Sequence, residues 1–288
     1  MGTAQTLARP YPHLLLQAQA AAALPAEERC RLIQHERWIG YSRAQEALRE
    51  LDRLLHYPRR DRMPNMLLFG PTNNGKTKIV RKFAALHPPR NKDEQRRIPV
   101  VLVEMSPQPG LTRIYRALLD AIGAVYGSSS HVDKLEPLAL RLLKAVDVQI
   151  IIIDEVHNLL ACNALQQRQV LNLLKYLGNQ LKVPIVAVGT EEAWSAIKSD
   201  PQMANRFDPF SLPLWTEGDE FLQLMMSFGR SLPLRKPSEL ANERIMKRVL
   251  AQTDGSIGAI TRLIEAAAIT AIERGDERLT LDGFSVIA

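Results

Sequence analysis

The sequence predicts an α/β protein, with a mainly parallel sheet covered by helices on both faces in a three-layer sandwich and a small all-helical part after it. Three observations carry this. Short apolar or β-branched runs at residues 66–69, 100–105, 149–153 and 184–188 alternate with segments of helical spacing. The run Ile150-Ile151-Ile152-Ile153 is apolar at every position, as a strand buried on both faces requires. Beyond about residue 216 the strand pattern stops and only helical spacing remains.

The elements follow in order. A helix is expected near residues 25–33, with Pro25 in its first turn and Glu27 and Glu28 after it; together with an irregular start it reads as an appendage. Ser42 is placed to cap a helix over 42–55, whose Ala44, Leu48, Leu51, Leu54 and Leu55 recur at helical spacing. The strand 66–69 leads into a Gly-rich turn and a helix over 76–86, and residues 87–99 read as a basic, proline-containing loop. Strand 100–105 and helix 111–123 come next, then a Gly/Ser turn, a helix over 134–146 and the strand 149–153. A long helix over 165–181, strand 184–188, a short helix over 191–197 and a last strand over 210–214 complete the α/β part. Helices over 217–231, 242–252 and 257–274 form the remainder. The expected organisation is therefore an N-terminal arm and helix (1–35), an α/β nucleotide-binding domain (36–216) and a helical lid (217–288).

Composition narrows the function classes. At 288 residues, 46% hydrophobic and 24% charged, the chain has ordinary globular usage, and no apolar run approaches the ~20 residues of a membrane span. No membrane association and a cytoplasmic location are expected. Cys30 and Cys162 are too few for a disulfide framework or a zinc site. The net charge of +6 and pI of about 9.4 suit a polyanionic partner, and Arg and Lys concentrate in the stretches 58–62 and 89–97.

Two motifs carry the chemistry. Gly70-Pro71-Thr72-Asn73-Asn74-Gly75-Lys76-Thr77 fits G-x-x-x-x-G-K-[ST] between a strand and a helix, with Lys78 continuing into the helix. Such a loop turns its backbone N–H groups inward and adds a helix N-terminus, which together make an anion site. Lys76 supplies a charge for the β- and γ-phosphates, and the Thr77 hydroxyl is a ligand for Mg²⁺. The second motif is the strand ending in Asp154-Glu155, at the carboxyl edge of the sheet where ligands of open α/β folds bind. Asp154 is expected in the Mg²⁺ shell, and Glu155 as the base that activates the attacking water. The pair of motifs predicts a Mg²⁺-dependent ATPase.

The order of Trp38-Ile39-Gly40, the phosphate loop, the acidic strand, Val186-Ala-Val-Gly189-Thr190, Asn205-Arg206-Phe207 and Gly258-Ala-Ile-Thr-Arg262 resembles the AAA+ ATPases. With the string Asp154-Glu-Val-His-Asn-Leu it is most similar to the TniB-type transposition ATPases, related to TnsC and more distantly to MuB. The likeness covers about residues 36–270. It implies that Thr190 is a sensor that helps place the water, that Arg206 is a finger acting in a neighbouring subunit's site, and that Arg262 reaches the phosphates from the lid. It implies that Ile39 and Gly40 pack against adenine.

The resemblance also implies an ATP-dependent homo-oligomer, ring or filament, on duplex DNA, with Arg96, Arg97, Thr112 and Arg113 contacting phosphates, and a partner transposase that does the strand transfer. The competing reading is a helicase loader or replication initiator acting on a protein partner. Initiators usually carry a helix-turn-helix module after the lid, for which residues 217–288 leave no room.

Overall fold

The computed structural model describes residues 11–92, 95–128, 130–198 and 204–284. Two compact units are present, one formed by Arg43–Pro213 and one by the described parts of 1–42 and 214–288.

The Arg43–Pro213 unit is built on five parallel strands: β1 (Asn65–Phe69), β4 (Val100–Glu104), β5 (Ile150–Asp154), β6 (Ile185–Gly189) and β7 (Phe207–Ser211), ordered β4-β5-β6-β1-β7. β5 and β6 are buried at every position. Full burial of each isoleucine of β5 contributes roughly 2 kcal/mol, which places this run inside the sheet rather than at an edge. Because side chains alternate, Leu67, Val101, Val103, Ile151, Ile153, Ile185 and Ala187 fill one face. They share a core with α5 (Leu111–Ala121), α6 (Val132–Ala145) and α7 (Ala164–Leu181). Helices α3 (Ser42–Leu55) and α4 (Lys76–Leu86) bury Ala47, Leu51, Leu54, Ile79, Val80 and Phe83, and α4 packs on β4 and β6. A short helix, α8 (Glu191–Lys198), follows β6.

Two segments differ from their sequence reading. Residues 87–99 are not a plain loop: β2 (Arg90–Lys92) and β3 (Gln95–Arg97) pair antiparallel, with Asn91 opposite Arg96; residues 93 and 94 lie outside the described set. Polar side chains on both faces of this ribbon remove the apolar alternation by which a strand is recognised. The last strand is Phe207–Ser211 rather than 210–214, in register with β1 from Asn65↔Phe207 to Phe69↔Ser211. β7 pairs with β1 alone, and an edge position tolerates Pro209 and exposes Asp208. Leu212, which looks like strand, ends the ladder with its N–H on the Phe69 carbonyl at 2.7 Å.

The second unit is helical, with α1 (Leu16–Ala22), α2 (Ala26–Gln34), α9 (Asp219–Ser231), α10 (Glu243–Thr253) and α11 (Ile257–Glu273). α2 is integral to it, not an appendage. Ile33 lies in one core with Phe221, Phe228, Ile245, Ile260 and Ile264. Arg29, 1% exposed, donates to both carboxylate oxygens of Glu277 at 2.7 Å and to the Pro233 carbonyl at 3.0 Å. A buried guanidinium needs such partners, and they lie more than 200 residues away in sequence. Among the described residues no single helix is long and apolar enough to cross a membrane.

Candidate nucleotide site

β1 ends at the sheet's carboxyl edge, and the loop 70–75 turns there into α4. Gly70 sits so close to the segment after β7 that a Cβ would lie 2.3 Å from the Leu212 carbonyl oxygen. No other residue fits at this position. Asn73 (φ 60°) and Gly75 (φ 84°) take left-handed backbone, and Gly75 is the N-cap of α4. This is the curled geometry that turns successive N–H groups to one side. Pro71 is half-buried and Thr72 exposed. The Asn74 side chain is buried and donates from Nδ2 to the Leu212 and Pro213 carbonyls at 2.8 and 2.9 Å, which fixes the loop from below.

Lys76 is 9% exposed, and its Nζ donates to the Gly70 and Pro71 carbonyls, each at 2.7 Å. Burial pushes its pKa down, while the charges of Glu155, Asp154 and Glu192 oppose that shift. Three carboxylates therefore converge electrically on this ammonium from two other elements. Thr77 and Lys78 follow in the first turn of α4, Thr77 half-buried.

On the other side, β5 delivers Asp154, 5% exposed, whose Oδ1 accepts the Glu155 N–H at 2.9 Å. Glu155 is left-handed (φ 59°, ψ 34°), a conformation that costs a non-glycine residue on the order of 1 kcal/mol. The turn ends the strand abruptly and separates the two carboxylates. Glu155 Oε2 lies 3.2 Å from His157 Nδ1, not aligned as a hydrogen bond. At the end of β6, the Thr190 hydroxyl donates to the Glu192 carboxylate and holds its pKa below the usual range, with help from the charges of His157 and Lys76. Glu192 and His157 escaped the sequence reading. For Glu192 the signal was the string Thr190-Glu191-Glu192 at a helix start, which reads as capping, and His157 stood in the string after Asp154 without a role of its own.

Thus Gly70–Thr77, Asp154, Glu155 and Thr190 gather at one edge of the Arg43–Pro213 unit. Arg206 immediately precedes β7 at the opposite, amino edge: its carbonyl accepts the Asn65 N–H at 3.2 Å, and its Nη1 donates to Asn179 Oδ1 at 3.1 Å. The five-residue strand between it and the phosphate loop spans about 16 Å, more than an arginine side chain can reach. Ile39, Gly40 and Arg262 belong to the helical unit, where Ile39 packs on its core and Arg262 is exposed on α11.

The four basic or hydroxyl residues expected on DNA form two groups. Arg96 and Arg97 lie on the ribbon, where Arg96 Nη1 donates to the Ile122 carbonyl at 3.4 Å and Arg97 Nη1 is 3.5 Å from Asp147 Oδ2. Arg59 shares that aspartate, with Nη2 2.7 Å from Oδ1, so the structure joins the basic stretch 58–62 to the ribbon. Thr112 and Arg113 occupy the first turn of α5, where Arg113 is exposed and donates to the Gln108 carbonyl at 2.7 Å. The Ile122 carbonyl that Arg96 meets belongs to the C-cap residue of this helix, about 15 Å along its axis from Thr112.

Comparison with known proteins gives the following. The profile of the family described as bacterial TniB protein matches residues 29–217. No curated protein matches the sequence. Among solved structures, the Aeropyrum pernix ORC2 protein in its ADPNP–ADP complexes is similar with a TM-score of 0.60 at 15% identity, over 88% of this chain and 69% of that one. The ORC1 protein of the same organism in complex with DNA gives 0.58 at 14%, over 89% and 68%. Cdc6p from Pyrobaculum aerophilum gives 0.56 at 16%, over 86% and 67%. At such identities the likeness is one of fold, and the fold is that of the AAA+ ATPases.

Proposed function

The chain belongs to the bacterial TniB family, and from that premise we propose that it is an ATP-dependent, DNA-binding AAA+ regulator of transposition. In this reading it oligomerises on target duplex, recruits a transposase and disassembles when ATP is hydrolysed. The observation that carries it is the separation of Arg206 from its own phosphate loop by the full length of β1. An arginine at that edge serves a triphosphate only in an adjacent copy, so the complete site needs two subunits and ATP becomes the bond between them.

The residues fit the ligands. The curled loop 70–75 offers inward N–H groups to the β- and γ-phosphates, and Lys76, already buried and charged against three carboxylates, is held beside them. Thr77 and Asp154 would hold Mg²⁺. Among the described residues no group of three or more His, Cys, Asp or Glu side chains is placed to bind a metal alone. Such an ion would take its other ligands from phosphates and water, the usual arrangement for magnesium. Bound there, it neutralises charge on the phosphate oxygens. Glu155 takes the proton of the attacking water, and Thr190 holds that water from β6. Arg206 of the adjacent copy stabilises the charge that develops on the γ-phosphate. Ile39 and Gly40 pack on the adenine, and Arg262 contacts the phosphates from the lid.

DNA contact is assigned to Arg96 and Arg97 on the ribbon and to Thr112 and Arg113 at the start of α5, two groups that would meet the backbone at separate phosphates and read no bases. Binding of this kind weakens steeply with salt.

The test is subunit mixing. Lys76→Ala and Arg206→Ala proteins, each inactive alone, are combined at several ratios with duplex DNA, and phosphate release is measured. Activity should return, because one interface in a mixed assembly pairs an intact loop with an intact arginine. Silence at every ratio would remove Arg206 from the shared site.

A further inference from the structure

Resting on the ATP-binding reading above, we propose that Asn74 is a positioning residue that couples occupancy of the phosphate loop to the segment by which the chain enters the helical unit. The boundary between units falls between Pro213 and Leu214. The two carbonyls just before that boundary, those of Leu212 and Pro213, are the ones the Asn74 amide holds, at 2.8 and 2.9 Å. The same segment is gripped twice more by residues at the loop's start. The Leu212 N–H donates to the Phe69 carbonyl at 2.7 Å, and the Leu212 carbonyl presses on Gly70 within the space of a missing methyl group. β1, the loop and residues 212–213 therefore form one mechanical piece.

Phosphate binding by itself gives no reason for an amide at this position. The loop's backbone supplies the N–H groups, and any small residue would satisfy the sterics. An Asn side chain that is 2% exposed, with one NH₂ group shared between two successive carbonyls, serves a different end. Hydrogen bonds lose strength steeply with angle, so both bonds form together only in a narrow range of Asn74 backbone positions. The neighbouring Asn73 and Gly75 take left-handed backbone, which a bound triphosphate would lock by accepting their N–H groups. A ligand that fixes the loop thereby favours the bonded position of residues 212–213, and by linkage a displaced 212–213 weakens nucleotide binding. The entry into the lid senses the nucleotide through this side chain.

Hydrogen exchange tests this on the full chain with Mg²⁺ and AMP-PNP, with saturation established separately by a binding titration of each protein. In the wild type, nucleotide should slow exchange of the peptide covering residues 210–217 by about threefold or more, as expected for a locally closed segment. In saturated Asn74→Ala that slowing should vanish, and in Asn74→Thr, which keeps one donor and folds under milder demand, part of it should remain. Full slowing in saturated Asn74→Ala would overturn the coupling, and so would a saturated wild type whose peptide 210–217 does not respond. A wild type that no millimolar nucleotide saturates would instead bring down the ATP-binding reading, and this inference with it.

Discussion

Replacing Gly70 by alanine tests whether the phosphate loop depends on its contact with the segment after β7. The added Cβ would stand 2.3 Å from the Leu212 carbonyl oxygen, 3.2 Å from its carbon and 3.3 Å from its own Cβ. Ordinary contact begins near 3.4 Å, so loop and segment must part by roughly 1 Å. Neither side yields easily. The Leu212 N–H is held by Phe69 at 2.7 Å, and its carbonyl is held by Asn74 at 2.8 Å. Overpacking against such a site costs about 1–3 kcal/mol. A weakened buried hydrogen bond adds about 1 kcal/mol. Nucleotide binding requires the undistorted loop, and at 1.4 kcal/mol per tenfold a distortion of about 3 kcal/mol lowers affinity by roughly two orders of magnitude. Titration with a fluorescent ATP analogue reads this directly, while far-UV circular dichroism shows that the fold is retained. Affinity within about threefold of wild type would refute the steric account, since that corresponds to less than 1 kcal/mol.

Three further outcomes are expected. Arg29→Ala should destabilise the helical unit by about 2–3 kcal/mol in urea unfolding, because half-buried Glu277 loses its bidentate partner and the Pro233 carbonyl loses its donor; a loss under ~1 kcal/mol would show that the pair is dispensable. Arg29's hydrogen bonds hold the Glu277 carboxyl below the usual glutamate range, against the effect of burial. The wild type should therefore keep this stabilisation above the ordinary glutamate pKa and lose it as pH falls through the lower folded value, whereas Arg29→Ala should show a smaller acid step, because the Arg235 N–H and charge still act on Glu277. Glu155→Gln should bind ATP and form long-lived complexes on duplex with phosphate release at least ~100-fold slower, and turnover near wild type would take the base role from Glu155.

The strand-to-helix turn 70–75 and the acidic end of β5 were legible in the chain because each is a contiguous string set by local backbone geometry. The parallel sheet was legible for a similar reason, since complete burial of β5 and β6 demands uninterrupted apolar runs. The ribbon of β2 and β3 was not, because strands with polar residues on both faces carry no apolar alternation, and the limits of β7 were misread because an edge strand admits Pro209 and Asp208.

By itself, then, the sequence determined the layered α/β class and that residues 70–77 and the pair Asp154-Glu155 follow the ends of strands. Tertiary structure alone decided that α2 is built into the helical unit through Arg29 and Glu277, that Arg206 faces away from its own loop, and that Asn74 holds Leu212 and Pro213. The physical reason is one of range. Periodicity and turn chemistry act over a few residues, whereas these contacts join groups far apart along the chain, and a lone Arg or Asn carries no local sign of the partner that burial will require it to find.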